Sequence, residues 1–191
     1  VHNATYEESR AAMDDLIDYN YRNFSLTLNQ YAEQYKLRDR KNLTIGISLS
    51  DYAYRDGFDN WYHRVGQYNV FGIIIAMEHK ACEHLQSTGQ PHMCFTKTDK
   101  WHAIYQGSNI IFVVGIIKFL GSLVVLDNKF DLVMSEMDVF WRQNPIEEMN
   151  QPGFDKYDIQ CTTHVDYYPW FDIPIQETSF DVLNIGLFYA K

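Results

Sequence analysis

"FDLVMSEMDVFWRQNP", residues 130–145, is the stretch on which the fold turns. Leu132, Val133 and Met134 have the composition of a buried strand, yet two carboxylates, Glu136 and Asp138, follow at once, and Val139, Phe140 and Trp141 follow them. A neutral polar group left unpaired in an apolar setting already costs roughly 2–7 kcal/mol, and a charge costs more. A cationic partner is therefore expected. On an extended backbone, side chains two apart leave the same face, so Glu136 and Asp138 can converge on one ion at the carboxyl end of the strand. Ligands of open α/β sheets gather at that edge. Oxygen donors with no adjacent Cys or His suit a hard cation, Mg²⁺ or Mn²⁺, which can bridge a diphosphate and stabilise it as a leaving group. The same Glu-x-Asp pair would also serve a solvated turn.

Working outward, strands and helices alternate. "NLTIGISLS" (42–50) reads as a strand and "YRDGFDNWYHRVGQY" as an amphipathic helix around Phe58, Trp61, Tyr62 and Val65. "NVFGIIIAM" is near-continuously apolar, as in a strand buried on both faces, and "EHKACEHLQSTG" is a helix closing at Gly89. "HMCFTK" supplies a short third strand. The most apolar run, Asn109 to Lys129, has the length of a membrane span but carries Lys118 at its middle, which costs roughly 2.5–3.5 kcal/mol there. A core helix crossing back to the strand at 130 is expected instead. Beyond it come a breaker-rich segment, a strand "YDIQCTT", a Pro-punctuated loop and a last strand "NIGLFYAK". Such alternation predicts an α/β domain with a mainly parallel sheet over 42–191. Residues 1–41, rich in Tyr, Asn, Asp and Arg, read as a helical stem or surface segment with little sign of a core, and the ending on a strand suggests a partial domain.

Composition narrows the function classes. At 191 residues and 46% hydrophobic the chain can build one sizeable core. A formal net charge of -9, with no basic stripe, opposes nucleic-acid binding, so a phosphorylated ligand would need a local device such as a metal ion. Three cysteines, Cys82, Cys94 and Cys161, are too scattered for a disulfide scaffold or a paired zinc motif, and leave room for one disulfide and a spare thiol. His79 and His84 are five apart and point to different sides of a helix, against a zinc site with Cys82. No Gly-x-Ser-x-Gly elbow, Gly-x-Gly-x-x-Gly turn or P-loop occurs. Three Asn-x-Ser/Thr sequons, at Asn3, Asn23 and Asn42, favour a secretory-pathway lumen. With no initiator Met, an upstream start and any membrane anchor are expected beyond Val1.

The run "GIIKFLGSLVVLDNKFDLVMSEMDVFWRQNP" resembles the signature of nucleotide-diphospho-sugar glycosyltransferases of the GT-A fold, an Asp-x-Asp motif followed by Val-x-Trp and a Pro, and is similar to the arabinosyl-, xylosyl- and galactosyltransferase group of plants and algae. "NLTIGISLSDYAY", "NW" at 60–61, "VFGIIIAMEHKACEHLQSTG", "DIQCTTHVD" and "NIGLFYAK" extend the resemblance over residues 42 to 191. The first acidic position departs from it, being Glu136 rather than Asp. The resemblance implies a Rossmann-type nucleotide-binding domain in which Asp138 and Glu136 hold Mn²⁺ or Mg²⁺, with Glu136 on the metal or the ribose. It places Asp51 near the base or ribose and Lys118 toward the pyrophosphate, and it sets Asp166 and Asn184 against the donor sugar or acceptor. Each has a plainer alternative: a turn carboxylate for Asp51, a lysine snorkelling to solvent for Lys118, a loop cap for Asp166 and a strand-entering turn for Asn184 with Gly186. Tyr167, Tyr168, Trp170 and Phe171 could stack on sugars or simply pack a loop.

The expected activity is transfer of a sugar from a UDP-sugar donor to a glycan or glycoprotein acceptor in the Golgi, with retention of anomeric configuration. The rivals are a non-catalytic carbohydrate- or nucleotide-binding module and a metal-dependent phosphohydrolase.

Overall fold

The computed structural model describes residues 4–104, 110–139, 141–164 and 182–191. Six strands form one sheet in the order β3-β2-β1-β4-β6-β5, comprising β1 (Thr44–Ser50), β2 (Val70–Ala76), β3 (His92–Cys94), β4 (Asp131–Ser135), β5 (Ile159–His164) and β6 (Val182–Ala190). The first four run parallel to one another, while β6 is antiparallel to both β4 and β5. The mainly parallel α/β domain expected from the alternating pattern is the fold observed. Its helices are α1 (Tyr6–Gln34), α2 (Phe58–Gly66), α3 (His79–Thr88), α4 (Asp99–Ile104), α5 (Ile110–Asp127) and α6 (Pro145–Met149).

Two apolar clusters sandwich the sheet. On one face α1 and α5 pack on Ile45, Ile47, Ile73 and Ile75; on the other α2 and α3 cover Val70, Ile74, Ala76 and Val133. Burial on both sides explains why β2 reads as an unbroken apolar run. At the centre, Gly46 and Gly72 face each other across β1 and β2. A Cβ on Gly72 would lie 2.8 Å from Trp61 Cζ3 and 2.9 Å from Val65 Cγ2, so the bare glycine is what lets α2 seat its indole on the sheet. Beyond α3, Gly89 takes a left-handed φ of 71°, and its N–H and that of Gln90 return to the carbonyls of Gln86 and Leu85, which stops the helix where the sequence placed its end.

Helix α5 is a core helix: Ile117, Leu120, Val124 and Val125 are buried, and none of the helices among the described residues is long and apolar enough to cross a membrane.

The N-terminal segment differs from its reading as a surface element without a core. Thr5 and Glu8 form a reciprocal capping box that starts α1. Ala12, Leu16, Asn20, Phe24, Leu28 and Ala32, spaced by four, are all buried. A strict four-residue repeat drifts about 40° per step around a helix. The stripe therefore winds, and α1 meets α5, α4 and β3 along its length. Asn20 sits in that stripe, fully buried, because its Nδ2 donates to the Leu16 and Thr96 carbonyls and its Oδ1 accepts the Thr96 N–H. Asp15 accepts from Lys100 Nζ at 2.8 Å, a hydrogen bond that holds its carboxyl below the usual carboxylate range. Helix α4, which carries that lysine, was not legible as a separate element.

Candidate functional site

The strand order reverses between β1 and β4: the chain steps from β1 outward to β2 and β3, then crosses back through α4 and α5 to β4 on the far side of β1. Parallel strands that diverge in this way leave a crevice at their carboxyl ends. Asp51 follows β1 directly and Glu136 follows β4 directly, so both flank the crevice.

The backbone between the two carboxylates is not extended, as the shared-face expectation required. Strand β4 stops at Ser135, and residues 136–139 form a turn closed by the Val139 N–H to the Glu136 carbonyl at 3.1 Å. Immediately after, the chain is drawn back to the core. Trp141 is 4% exposed, its Nε1 donates to Ser135 Oγ at 3.0 Å, and its carbonyl accepts from Arg64 of α2. Trp141 thus anchors the turn from below and leaves its carboxylates at the rim.

A cation does meet one member of the pair. Lys118, only 5% exposed, reaches from α5 to form an ion pair between its Nζ and Glu136 Oε1. The lysine is thus buried rather than snorkelling to water. The Glu136 side chain keeps 43% of its surface exposed, and Asp138 is exposed and meets no side-chain partner among the described residues.

Across the crevice, Asp51 Oδ1 accepts the Ala53 N–H at 2.9 Å and so caps a 3₁₀ turn over Tyr52–Gly57. That turn is fastened to the end of β2 by the Tyr52 N–H donating to Glu78 Oε1 at 2.9 Å, a contact the sequence did not single out. Its last residue, Gly57, lies against the opposite rim: a Cβ there would be 3.7 Å from Met137 Cγ. The loops after β1 and β4 are therefore neighbours. Beside Tyr52 opens a cleft of about 470 Å³ lined by Lys80, Glu83, His84 and Ser87, with the His84 ring between those of Tyr52 and Phe58.

Asn184 lies in β6, three residues before Leu187, which pairs with Ser135; because β6 runs antiparallel to β4, its backbone is on the same edge as the 136–139 turn. Asp166 and the aromatic run at Tyr167, Tyr168, Trp170 and Phe171 lie outside the described residues. Of the cysteines, Cys82 in α3 and Cys94 in β3 form a disulfide with Cα atoms 5.6 Å apart. His79, once a conceivable zinc partner of Cys82, pairs instead with Glu83 at 3.1 Å.

The donor set fits a hard cation better than a soft one. The turn offers carboxylate oxygens from Glu136 and Asp138, one Glu136 oxygen is outside the Lys118 pair, and no Cys or His belongs to the turn.

The profile of the nucleotide-diphospho-sugar transferase family matches residues 71–191, which takes in β2, α5, the 136–139 turn and β6. No curated protein and no solved structure is significantly similar to the chain.

Proposed function

The chain belongs to the nucleotide-diphospho-sugar transferase family, and from that premise we propose that it is a metal-dependent glycosyltransferase. It takes a UDP-sugar of the kind used by the arabinosyl-, xylosyl- and galactosyltransferase group and passes the glycosyl unit to a glycan or glycoprotein acceptor, retaining the anomeric configuration. The observation that carries this proposal is the position of the Glu136–Asp138 turn at the reversal of strand order, with the Asp51 loop against it. Three sequons and the Cys82–Cys94 disulfide support a site of action in the oxidising Golgi lumen.

In this mechanism Asp138 and Glu136 would hold Mn²⁺ or Mg²⁺. A divalent cation there supplies charge neutralisation for a departing diphosphate. Lys118 fixes the Glu136 carboxylate and adds positive charge at the same rim, in a position to meet the pyrophosphate. Asp51, held by its own turn, faces the nucleoside end. Asn184 and Asp166 orient the donor sugar or the acceptor hydroxyl, so that attack is close to unimolecular.

One observation favours a second reading. Glu136 stands where the family signature has Asp, and Lys118 already engages it. A protein built this way could bind the nucleotide sugar without turning it over.

Calorimetry with UDP, with and without Mn²⁺, followed by a donor-hydrolysis assay, separates these readings. The expected result is UDP binding that strengthens with Mn²⁺ and falls about tenfold or more in Asp138→Asn, a loss of ~1.4 kcal/mol, together with release of UDP from the donor. Metal-dependent binding without turnover would select the binding module. Binding indifferent to both Mn²⁺ and Asp138→Asn would remove the site.

A further inference from the structure

We infer that Asn42 is an N-glycosylation site of this protein and that the Asn23 sequon stays unmodified, although both triplets match the Asn-x-Ser/Thr pattern. This rests on the lumenal part of the proposed function and not on its catalytic part.

Asn42 occupies an exposed turn just before β1, in the left-handed region with φ 52°, and its side-chain amide has no hydrogen-bond partner among the described residues. Only its backbone carbonyl is engaged, by Asn69 Nδ2 at 3.2 Å. The amide nitrogen is thus presented to solvent. Asn23 is half-buried in the middle of a 29-residue helix, next to Phe24 at 1% exposure, and its carbonyl accepts the Thr27 hydroxyl at 2.9 Å.

The hydroxyl of each triplet ends up shielded: Thr44 is buried, and Ser25 is half-buried with its Oγ shut off from solvent. Modification must therefore precede burial, and the order in which the chain folds decides between the sites. Helix α1 has local contacts to start it: its capping box and the Arg10–Asp14 and Asp18–Arg22 pairs all lie within four residues. A helix of this kind relaxes in about 0.1–1 μs. Residues 23–25 enter it as soon as they clear the membrane channel. Residues 42–44 have no local alternative. Thr44 is buried by pairing with Val70 and with Asp131, and Asp131 is synthesised 87 residues later. At 5–20 residues per second that delay is about 4–17 s. Throughout it the second triplet lacks its β4 partner and stays open on that side.

Position also permits the modification in the finished fold. Asn42 lies at the amino end of β1 and Asp51 at its carboxyl end, separated by the seven-residue strand, about 23 Å. A glycan at Asn42 projects from the edge opposite the proposed donor crevice. In the reaction, Asn42 Nδ2 bonds to the anomeric carbon of an oligosaccharide carried on a lipid diphosphate; the carbon–oxygen bond to that diphosphate breaks, and the amide proton passes to a base of the separate lumenal enzyme that attaches the glycan.

The test appends a cleavable signal peptide, which supplies the lumen whatever the natural location, to the full chain carrying Asn3→Gln. The chain is then translated into microsomes and also secreted from a eukaryotic cell. The expected product carries one glycosidase-sensitive glycan, mapped to the Asn42 peptide by mass spectrometry. Asn42→Gln loses the shifted band, and Asn23→Gln leaves it unchanged. An unmodified Asn42 peptide, or occupancy at Asn23 equal to that at Asn42, overturns the inference. The microsomal arm scores attachment even where a variant is not secreted.

Discussion

The centre of the sheet and the rim above β4 are both reached from α2 and β1, and they are built on opposite terms. At the centre, Gly46 and Gly72 are stripped to backbone, and an added methyl has nowhere to go: it would meet Val70 at the first and Trp61 at the second. At the rim, Glu136 is engaged through one oxygen and Asp138 is exposed without a partner among the described residues. Surroundings that leave no slack specify a fold. A carboxylate without a partner contributes little to stability and is available to a ligand. The two places should therefore respond in opposite ways to substitution, one in stability and the other in binding.

The largest effect is expected at the centre. Trp61→Ala removes a 4%-exposed indole from its glycine seat and should cost about 3–5 kcal/mol of unfolding free energy, read as a lowered denaturant midpoint. Gly72→Ala approaches the same contact from the other side. With its new methyl 2.8 Å from the indole it should cost about 1–3 kcal/mol, and UDP affinity of the protein that remains folded should be unchanged. A Gly72→Ala variant that folds normally but loses UDP would show that centre and rim are not separate. The smallest stability effect, and the sharpest contrast, is expected from Lys118→Met. Removing one member of a fully buried pair is severe, but Glu136 keeps access to water and Lys118 itself sheds a desolvation cost. The net change should stay within about 1 kcal/mol. Mn²⁺-dependent UDP binding should nevertheless weaken about tenfold, ~1.4 kcal/mol. Unchanged binding with a large loss of stability would make Lys118 a structural residue only.

Much of the centre was legible because burial on two faces leaves an unbroken apolar run, as in β2, and because Gly89 marks a helix end by backbone geometry alone. The placement of Glu136 at the end of a buried strand followed from the apolar run before it. The turn that carries it did not follow, since Met137 and Val139 continue an alternation that suits an extended strand equally well. The contribution of α1 was hidden by its composition: its buried stripe includes Asn20, whose partners lie on Thr96, 76 residues away. No local pattern encodes such a contact. The Cys82–Cys94 pairing was open for the same reason, because three cysteines in sequence do not say which two approach. Glu78 gave no signal, since its role is to accept one backbone N–H from a neighbouring strand's loop.

The family match begins at Phe71, inside β2 and after β1 has ended. Because β1 sits between β2 and β4, a gene cut at that boundary would encode a sheet without its middle plank, its two halves each exposing a raw hydrogen-bonding edge. Expression trials on the matched segment alone should yield inclusion bodies, and the workable cloning boundary lies ahead of Thr5, where the capping box begins.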